Sequence, residues 1–379
     1  MVCTSGDSLI PTPAIQFEAQ DEVVKAFQST SPVGGGAARP VNPIEDGQWD
    51  ARLAAQGRET FFQCTAWART LKETYAFAPV YFATLAGGKI HALLPMMEVD
   101  SWLTGRRGVS LPFTDCCEPF AGDLPGFQRL FDQVVRYGQD RRWKYVEFRG
   151  GQQFLAPAMP SQRFYGHELA LAEDEKRLFA TLTPAVRRAV RKAEKQGVTV
   201  EILKDAIAIR QFYALQCRTR RKHGLPPQPF RFFQNVQKCI LAEGSGIIIL
   251  ARLGKRTVAG SIFFHMGQEA IYKFGASDET MLDLRGNDLV MWEGIKYYAS
   301  KGFQKLHLGR TSPTNEGLRR FKLGWGAREH WINYFKYDLR KSVFVASRDE
   351  AFGWYNQVFA ALPLSWSRFL GALLYRHVA

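Results

Sequence analysis

No run of about 18 consecutive apolar residues occurs in the 379-residue chain, so no segment is long and apolar enough to span a bilayer as a helix. The N-terminus shows neither the basic start nor the apolar stretch of a secretory signal, and a cytoplasmic address is expected. Cysteine is scarce and scattered. Cys3, Cys64, Cys116, Cys117, Cys217 and Cys239 form no C-x-x-C pair and have no histidine at metal-ligand spacing, so free thiols are expected and a structural metal is not. Cys116 and Cys117 are adjacent and poorly placed to bridge each other. No G-x-S-x-G elbow is present, and no cysteine is marked as a nucleophile, which removes the common routes of covalent nucleophilic catalysis. Acidic residues are also in deficit: 36 Asp and Glu face 50 Lys and Arg, a net charge of +14. That surplus exceeds what solubility asks for and points to anionic, phosphorylated partners or an anionic membrane face.

What is present is a repetition. Tyr81–Ala92 reads as a strand, a Gly-Gly-Lys turn and a second strand, and Leu250–Gly260 has the same form around Gly254-Lys255. Each is followed by a helical segment and then a short strand ending in Arg and Gly, Trp143–Gly150 in one case and Phe303–Arg310 in the other. Two landmarks repeated in the same order imply two copies of one α/β unit with a cleft between them.

Residues 1–36 carry little pattern and are read as a flexible segment, followed by a first unit over 37–175 and a second over 176–340. In the first, helical spacing from Gln48 to Phe77 precedes strands Val80–Ala86, Lys89–Val99 and Gly108–Phe113, a helix Phe127–Tyr137, and strands Lys144–Phe148 and Arg163–Leu171. The second opens with a helix capped by Thr183, started by Pro184 and stopped at Gly197. Its remaining elements are a strand at 198–203, helices at 206–222 and 230–241, strands at 246–253, 256–266 and 270–276, a helix at 289–300, a strand at 305–308, a helix at 315–323 and a strand at 331–337. Residues 341–379 form an aromatic-rich tail of two short helices broken at Pro363. Phe352, Trp354, Tyr355, Val358 and Phe359 lie before the break, and Leu364, Trp366, Phe369, Leu370, Leu373 and Leu374 after it, accompanied by Arg368, Arg376 and His377. The tail is suited either to docking on the protein's own core or to an interfacial anchor.

The phrases Arg187–Val198, Thr219–Pro226, Tyr272–Ser277, Leu308–Ser312 and Gly317–Lys322, set in this element order, resemble the FemAB family, and within it the subgroup associated with exopolysaccharide and exosortase loci. The resemblance covers about residues 40 to 340 and is stronger in the second half. It implies an α/β (α+β) fold of two tandem GNAT-like acyltransferase domains with mixed central sheets, the second being catalytic. It further implies transfer of an acyl or aminoacyl group to an amine of a cell-envelope or exopolysaccharide precursor. The long helical-hairpin insertion of some members is absent, so the donor stays open between aminoacyl-tRNA and acyl-CoA, with no tightly bound cofactor expected.

Direct attack by an amine needs positioning and cationic or amide donors near the carbonyl. Lys322 and Arg310 are the candidate catalytic residues, and the Phe321-Lys322 pair matches a Phe-Lys pair that contributes to the site in the resembling family. Thr311 and Asn315 add hydrogen-bonding groups, and Lys273 lies in one of the resembling phrases. Arg218, Arg220, Arg221, Lys222 and His223 crowd the end of one helix beyond what capping requires, and offer a phosphate site. The basic face of the Thr183 helix, with Arg187, Arg191 and Lys195 at successive turns, suits tRNA phosphates or an anionic membrane surface. Nothing reads bases, so DNA is not an expected partner. The segment Leu284–Asp288 holds one glycine only, against the Gly-rich pyrophosphate loop of standard acyl-CoA enzymes. Two other classes stay open: an acyl-CoA-dependent N-acetyltransferase, and a non-catalytic module that binds an anionic polymer.

Overall fold

The computed structural model describes residues 38–57, 61–172, 174–346 and 359–378. The segment 1–36, Cys3 and the tail positions Phe352 to Val358 lie outside the described residues.

The first half runs β1 (Arg39–Val41), α1 (Trp49–Ala54), α2 (Thr65–Tyr75), β2 (Ala78–Pro79), β3 (Tyr81–Ala86), β4 (Lys89–Leu94), β5 (Met97–Val99), β6 (Arg107–Val109), β7 (Phe120–Ala121), α3 (Leu124–Asp140), β8 (Tyr145–Arg149), α4 (Gln152–Leu155) and β9 (Gln162–Ala170). The second half runs α5 (Glu175–Thr181), α6 (Pro184–Lys195), β10 (Thr199–Leu203), α7 (Ala206–Lys222), α8 (Phe230–Val236), β11 (Gly246–Leu253), β12 (Arg256–Met266), β13 (Glu269–Ser277), α9 (Gly286–Ser300), β14 (Lys305–Thr311), α10 (Glu316–Leu323), β15 (Arg328–Asp338) and β16 (Val343–Phe344), with α11 (Leu364–Leu374) after it.

Local chemistry explains most of these boundaries. Asp123, Asp205 and Asn315 cap α3, α7 and α10 by accepting backbone N–H bonds at the first turn. Thr183 stands at the cap of α6 without a side-chain bond, and Pro184 at its first position does the starting. The β3–β4 turn places Gly87 and Gly88 at φ 57° and 78°, the paired left-handed geometry that two-residue hairpins require. Two expected elements are shorter than their sequence pattern. The strand from Gly108 ends at Val109 because Leu111 and Phe113 adopt positive φ and break the pleat. The helix from Phe230 loosens into a π turn over Gln237–Leu241.

The two halves repeat one topology. The second half lays down β10-β11-β12-β13 antiparallel and then pairs β13 with β14 in parallel. The first half lays down β1-β3-β4, breaks at Pro95, resumes as β5-β6, and pairs β6 with β8 in parallel. Proline lacks the N–H that a continuous ladder needs, so the break shifts the chain from a four-stranded sheet into the twelve-stranded one. The two landmark hairpins thus hold equivalent places, and the fold is a tandem of two mixed α/β units.

The final strands are exchanged. β9 does not close its own unit as the sequence suggested; it pairs with β14 and β15 of the second, while β15 pairs with β8 of the first. Hydrophobic alternation identifies a strand but not its partner. The exchange is reinforced by a shared core in which Phe61 stacks on Phe264 at 4.7 Å and Trp67 meets Phe232 edge-on at 6.1 Å.

Candidate active site

The central sheet opens where the two parallel strands part. β13 and β14 pair only from Glu269↔Lys305 to Ile271↔His307. On its other side β14 pairs with β9 from Lys305 onward, and that ladder bulges between His307 and Arg310. Gly309 supplies that bulge at φ 71°, a left-handed conformation that favours glycine, and its Cα faces the Asp115 carboxylate. Asp115 comes from the loop after β6, so a first-unit residue enters the gap in the second unit's sheet.

Four charged side chains gather there. Lys273 Nζ donates to Asp115 Oδ2 at 2.9 Å and to the Phe113 carbonyl at 2.7 Å, and lies 4.9 Å from the centre of the Phe62 ring. Burial draws the Lys273 ammonium below its ordinary pKa, with Asp115 opposing the shift. Burial would raise the Asp115 carboxyl, but Lys273, Arg310 and Lys322 outweigh it and hold the group ionised. The Arg310 guanidinium rests 4.2 Å from the Phe164 ring centre and 5.1 Å from that of Tyr334. Lys322 is only 3% exposed, and its Nζ donates to the Gly309 and Arg310 carbonyls, both at 2.9 Å. Burial, with repulsion from Lys273 and Arg310, lowers its pKa to about 8 even though Asp115 attracts its charge. An ammonium has three donors, so two bonds leave one N–H of Lys322 uncommitted.

A cleft of about 380 Å³ opens in front of this group. Its walls include Asp115, Glu118, His167, Glu168, Glu269, Lys305, His307 and Gly309. His307 lies 2.9 Å from Glu269 and 3.3 Å from Glu168. Burial disfavours its charge, but hydrogen bonds to both carboxylates raise its pKa to about 9. His167 is buried on the exchanged strand β9, and its Nε2 sits 3.2 Å from Glu329 without the alignment of a hydrogen bond. Burial and the nearby Lys322 lower its pKa to about 4, so it is neutral at physiological pH. The lining is therefore rich in carboxylates, with Lys305 and protonated His307 pairing two of them, and further cations stand behind it.

The structure brings together three of the residues singled out in sequence: Lys322, Arg310 and Lys273. Lys322 and Arg310 stand behind Gly309 and Asp115 rather than on the cleft surface. Thr311 is buried beside them, its hydroxyl unpartnered. Phe321 packs on Trp325, and Asn315 caps α10. The cations of α7 lie elsewhere. Arg218 pairs with Asp278 at 3.1 Å, and Arg220 donates to Tyr375 Oη at 2.7 Å. Arg221 and His223 follow at the same helix end, where Thr219 meets Ser277 at the opposite end of β13 from the cleft. Asp115, His167, Glu168, Glu269 and His307 escaped the sequence reading, because isolated acidic and histidine residues carry no signal until the strand exchange juxtaposes them.

A twice-repeated mixed sheet that splays after one parallel pair, with a charged cleft at the splay, defines an acyltransferase fold of the GNAT type. Residues 184–331 match the family model described as acetyltransferase (GNAT) domain. Among solved structures, the chain is similar to FemX, with TM-score 0.62 and 15% identity over 77% of this chain and 95% of that one. It is also similar to L-PGS from Bacillus licheniformis, with TM-score 0.51 and 12% identity over 91% of this chain and 99% of that one. At these identities the likeness is one of fold. No protein of curated function matches the chain.

Proposed function

We propose that the cleft transfers an acyl or aminoacyl group to a primary amine by direct attack. One observation carries this reading: a lining that holds four carboxylates, Asp115, Glu118, Glu168 and Glu269, lies before the cations Lys273, Arg310 and Lys322, the last of them buried. Asp115 and Glu118 receive the acceptor amine. Arg310 and Lys322 supply a positive field beside Gly309, where a low dielectric strengthens it. The N–C bond forms as the bond from the carbonyl to the donor's oxygen or sulfur breaks, and the amine proton ends on the departing atom. His307, held protonated between two carboxylates, fixes the opposite wall.

The acceptor we propose is an amine of a cell-envelope or exopolysaccharide precursor, with the enzyme working at the inner face of the membrane. Among the described residues no helix is long and apolar enough to cross one. Of the α7 cations, Arg221 and His223 are proposed to hold a phosphate of the donor, Arg218 being engaged by Asp278 and Arg220 by Tyr375. Between the donors, an aminoacyl ester is favoured over acyl-CoA because Asp288 occupies the first turn of α9, where a pyrophosphate would need neutral amides. A mass-spectrometric assay with aminoacyl-tRNA and acyl-CoA offered separately to amine-bearing precursors tests this. Amide product from the ester donor is expected. Product from acyl-CoA alone would replace the donor, and a purified protein that forms amide from neither would leave a binding module.

A further inference from the structure

The last helix is held on one side only. Gly371 abuts the Pro227 carbonyl, Leu364 and Tyr375 join the shared core, and the carbonyl of the following His377 accepts from Arg107 Nη2 at 2.9 Å. The opposite side of α11 carries Trp366, Phe369 and Leu373, one per turn, with Trp366 and Phe369 60% and 62% exposed. The loop after β5 extends this ridge. Trp102, 81% exposed, stands edge-on to His377 at 5.4 Å, with Leu103 beside it.

A groove of about 760 Å³ runs along the flank of the same helix, lined by Arg69, Lys72, Arg231 and Arg376. Among the described residues none of these four cations makes an ion pair or a side-chain hydrogen bond. The groove's acid, Glu73, is already bonded to Lys238 at 3.1 Å. Ridge and groove ask for different things from one occupant: a surface that takes Trp, Phe and Leu out of water, and anionic oxygens a few ångströms away. An RNA would satisfy the cations and leave the ridge wet. A bilayer interface satisfies both, because aromatic side chains settle at the boundary of acyl chains and headgroups while Lys and Arg meet the phosphates.

We propose that α11, the Trp102 loop and this basic groove form a docking surface for a bilayer bearing anionic phospholipids. The proposal rests on the membrane-side placement above and not on the transfer chemistry. It assigns membrane contact to α11 rather than to the basic face of α6.

Co-sedimentation of the full-length protein with phosphatidylcholine vesicles, with and without phosphatidylglycerol, tests the surface. Binding is expected only with the anionic lipid, with a blue shift of tryptophan emission. Trp366→Ser with Phe369→Ser should weaken binding at least tenfold, as should Arg69→Gln with Arg231→Gln and Arg376→Gln. Because Trp366 is exposed, the single Trp366→Ser variant keeps its fold and should show the same trend. Arg187→Gln with Arg191→Gln on α6 should leave binding unchanged. Equal binding to neutral vesicles, no binding to anionic ones, or loss only with the α6 variant would overturn the proposal. So would RNA binding that the groove variant abolishes while vesicles are ignored. Vesicle-free transfer to a soluble amine should survive Trp366→Ser, so the surface and the transfer reading fail separately.

Discussion

The Asp115 carboxylate, carried by a loop of the first unit, meets the Lys273 ammonium, carried by β13 of the second, at 2.9 Å. Both are largely withdrawn from water, and Lys273 has no other carboxylate within ion-pair distance among the described residues. Removing one partner leaves a buried charge unmatched, which costs more than removing both. Asp115→Asn should lower stability by about 3 kcal/mol. Adding Lys273→Met should restore most of that, giving a coupling well above 1 kcal/mol in a denaturant-based double-mutant cycle. Additive losses would mean that the two units are not joined through this pair.

Lys322 should leave its mark on the pH dependence. Its pKa of about 8 lies below the ordinary 10.5, so between those values the unfolded chain holds a proton that the folded one has released. Stability should therefore rise as pH climbs from 8 to 10.5, by a few kcal/mol at most. Activity should do the opposite, because the field at the carbonyl weakens as the ammonium loses its proton. A falling limb of kcat/KM near pH 8 is expected in the wild type and absent in Lys322→Arg, whose guanidinium stays charged.

The reverse sign applies to His307. Its folded pKa, about 9, is raised above 6.5, so its contribution is complete below pH 6.5 and disappears as pH passes 9. His307→Gln should destabilise the protein at pH 6 by roughly 2 kcal/mol, a figure discounted for partial solvent screening. The gap from wild type should narrow above pH 9, as thermal melts across that range would show.

The exchanged strands couple the two halves. A fragment comprising residues 176–346 loses β9, which leaves facing edges of β14 and β15 unpaired, and should aggregate alone. Co-expression with residues 38–172 should return a soluble complex. A monomeric, cooperatively melting second half would contradict the exchange.

Much of the second unit was legible in its sequence. Pro184, the Gly254 turn and the apolar run Ile247–Leu250 announce their elements through backbone chemistry and burial, and α7 falls where its pattern places it. Lys322 and Arg310 stood out because they sit in a helix and a strand end of recognisable form. The cleft was not legible. Its walls combine Asp115, His167 and His307, which are scattered in sequence and meet only because β9 crosses to β14. The α7 cations drew notice by density alone, and density does not tell whether an arginine faces a ligand or, like Arg218, a buried aspartate.

The most direct test pairs catalysis with stability in one variant, Lys322→Met. The substitution removes a buried charge whose lowered pKa marks a cost of roughly 3 kcal/mol, and forfeits two hydrogen bonds to the bulge carbonyls. These nearly cancel, so the melting temperature should stay within a few degrees of the wild type. The rate of amide formation with the preferred donor should fall at least a hundredfold. A Lys322→Met protein that folds and transfers at the wild-type rate would remove Lys322 from the chemistry and, with it, the cationic backing on which the transferase reading stands.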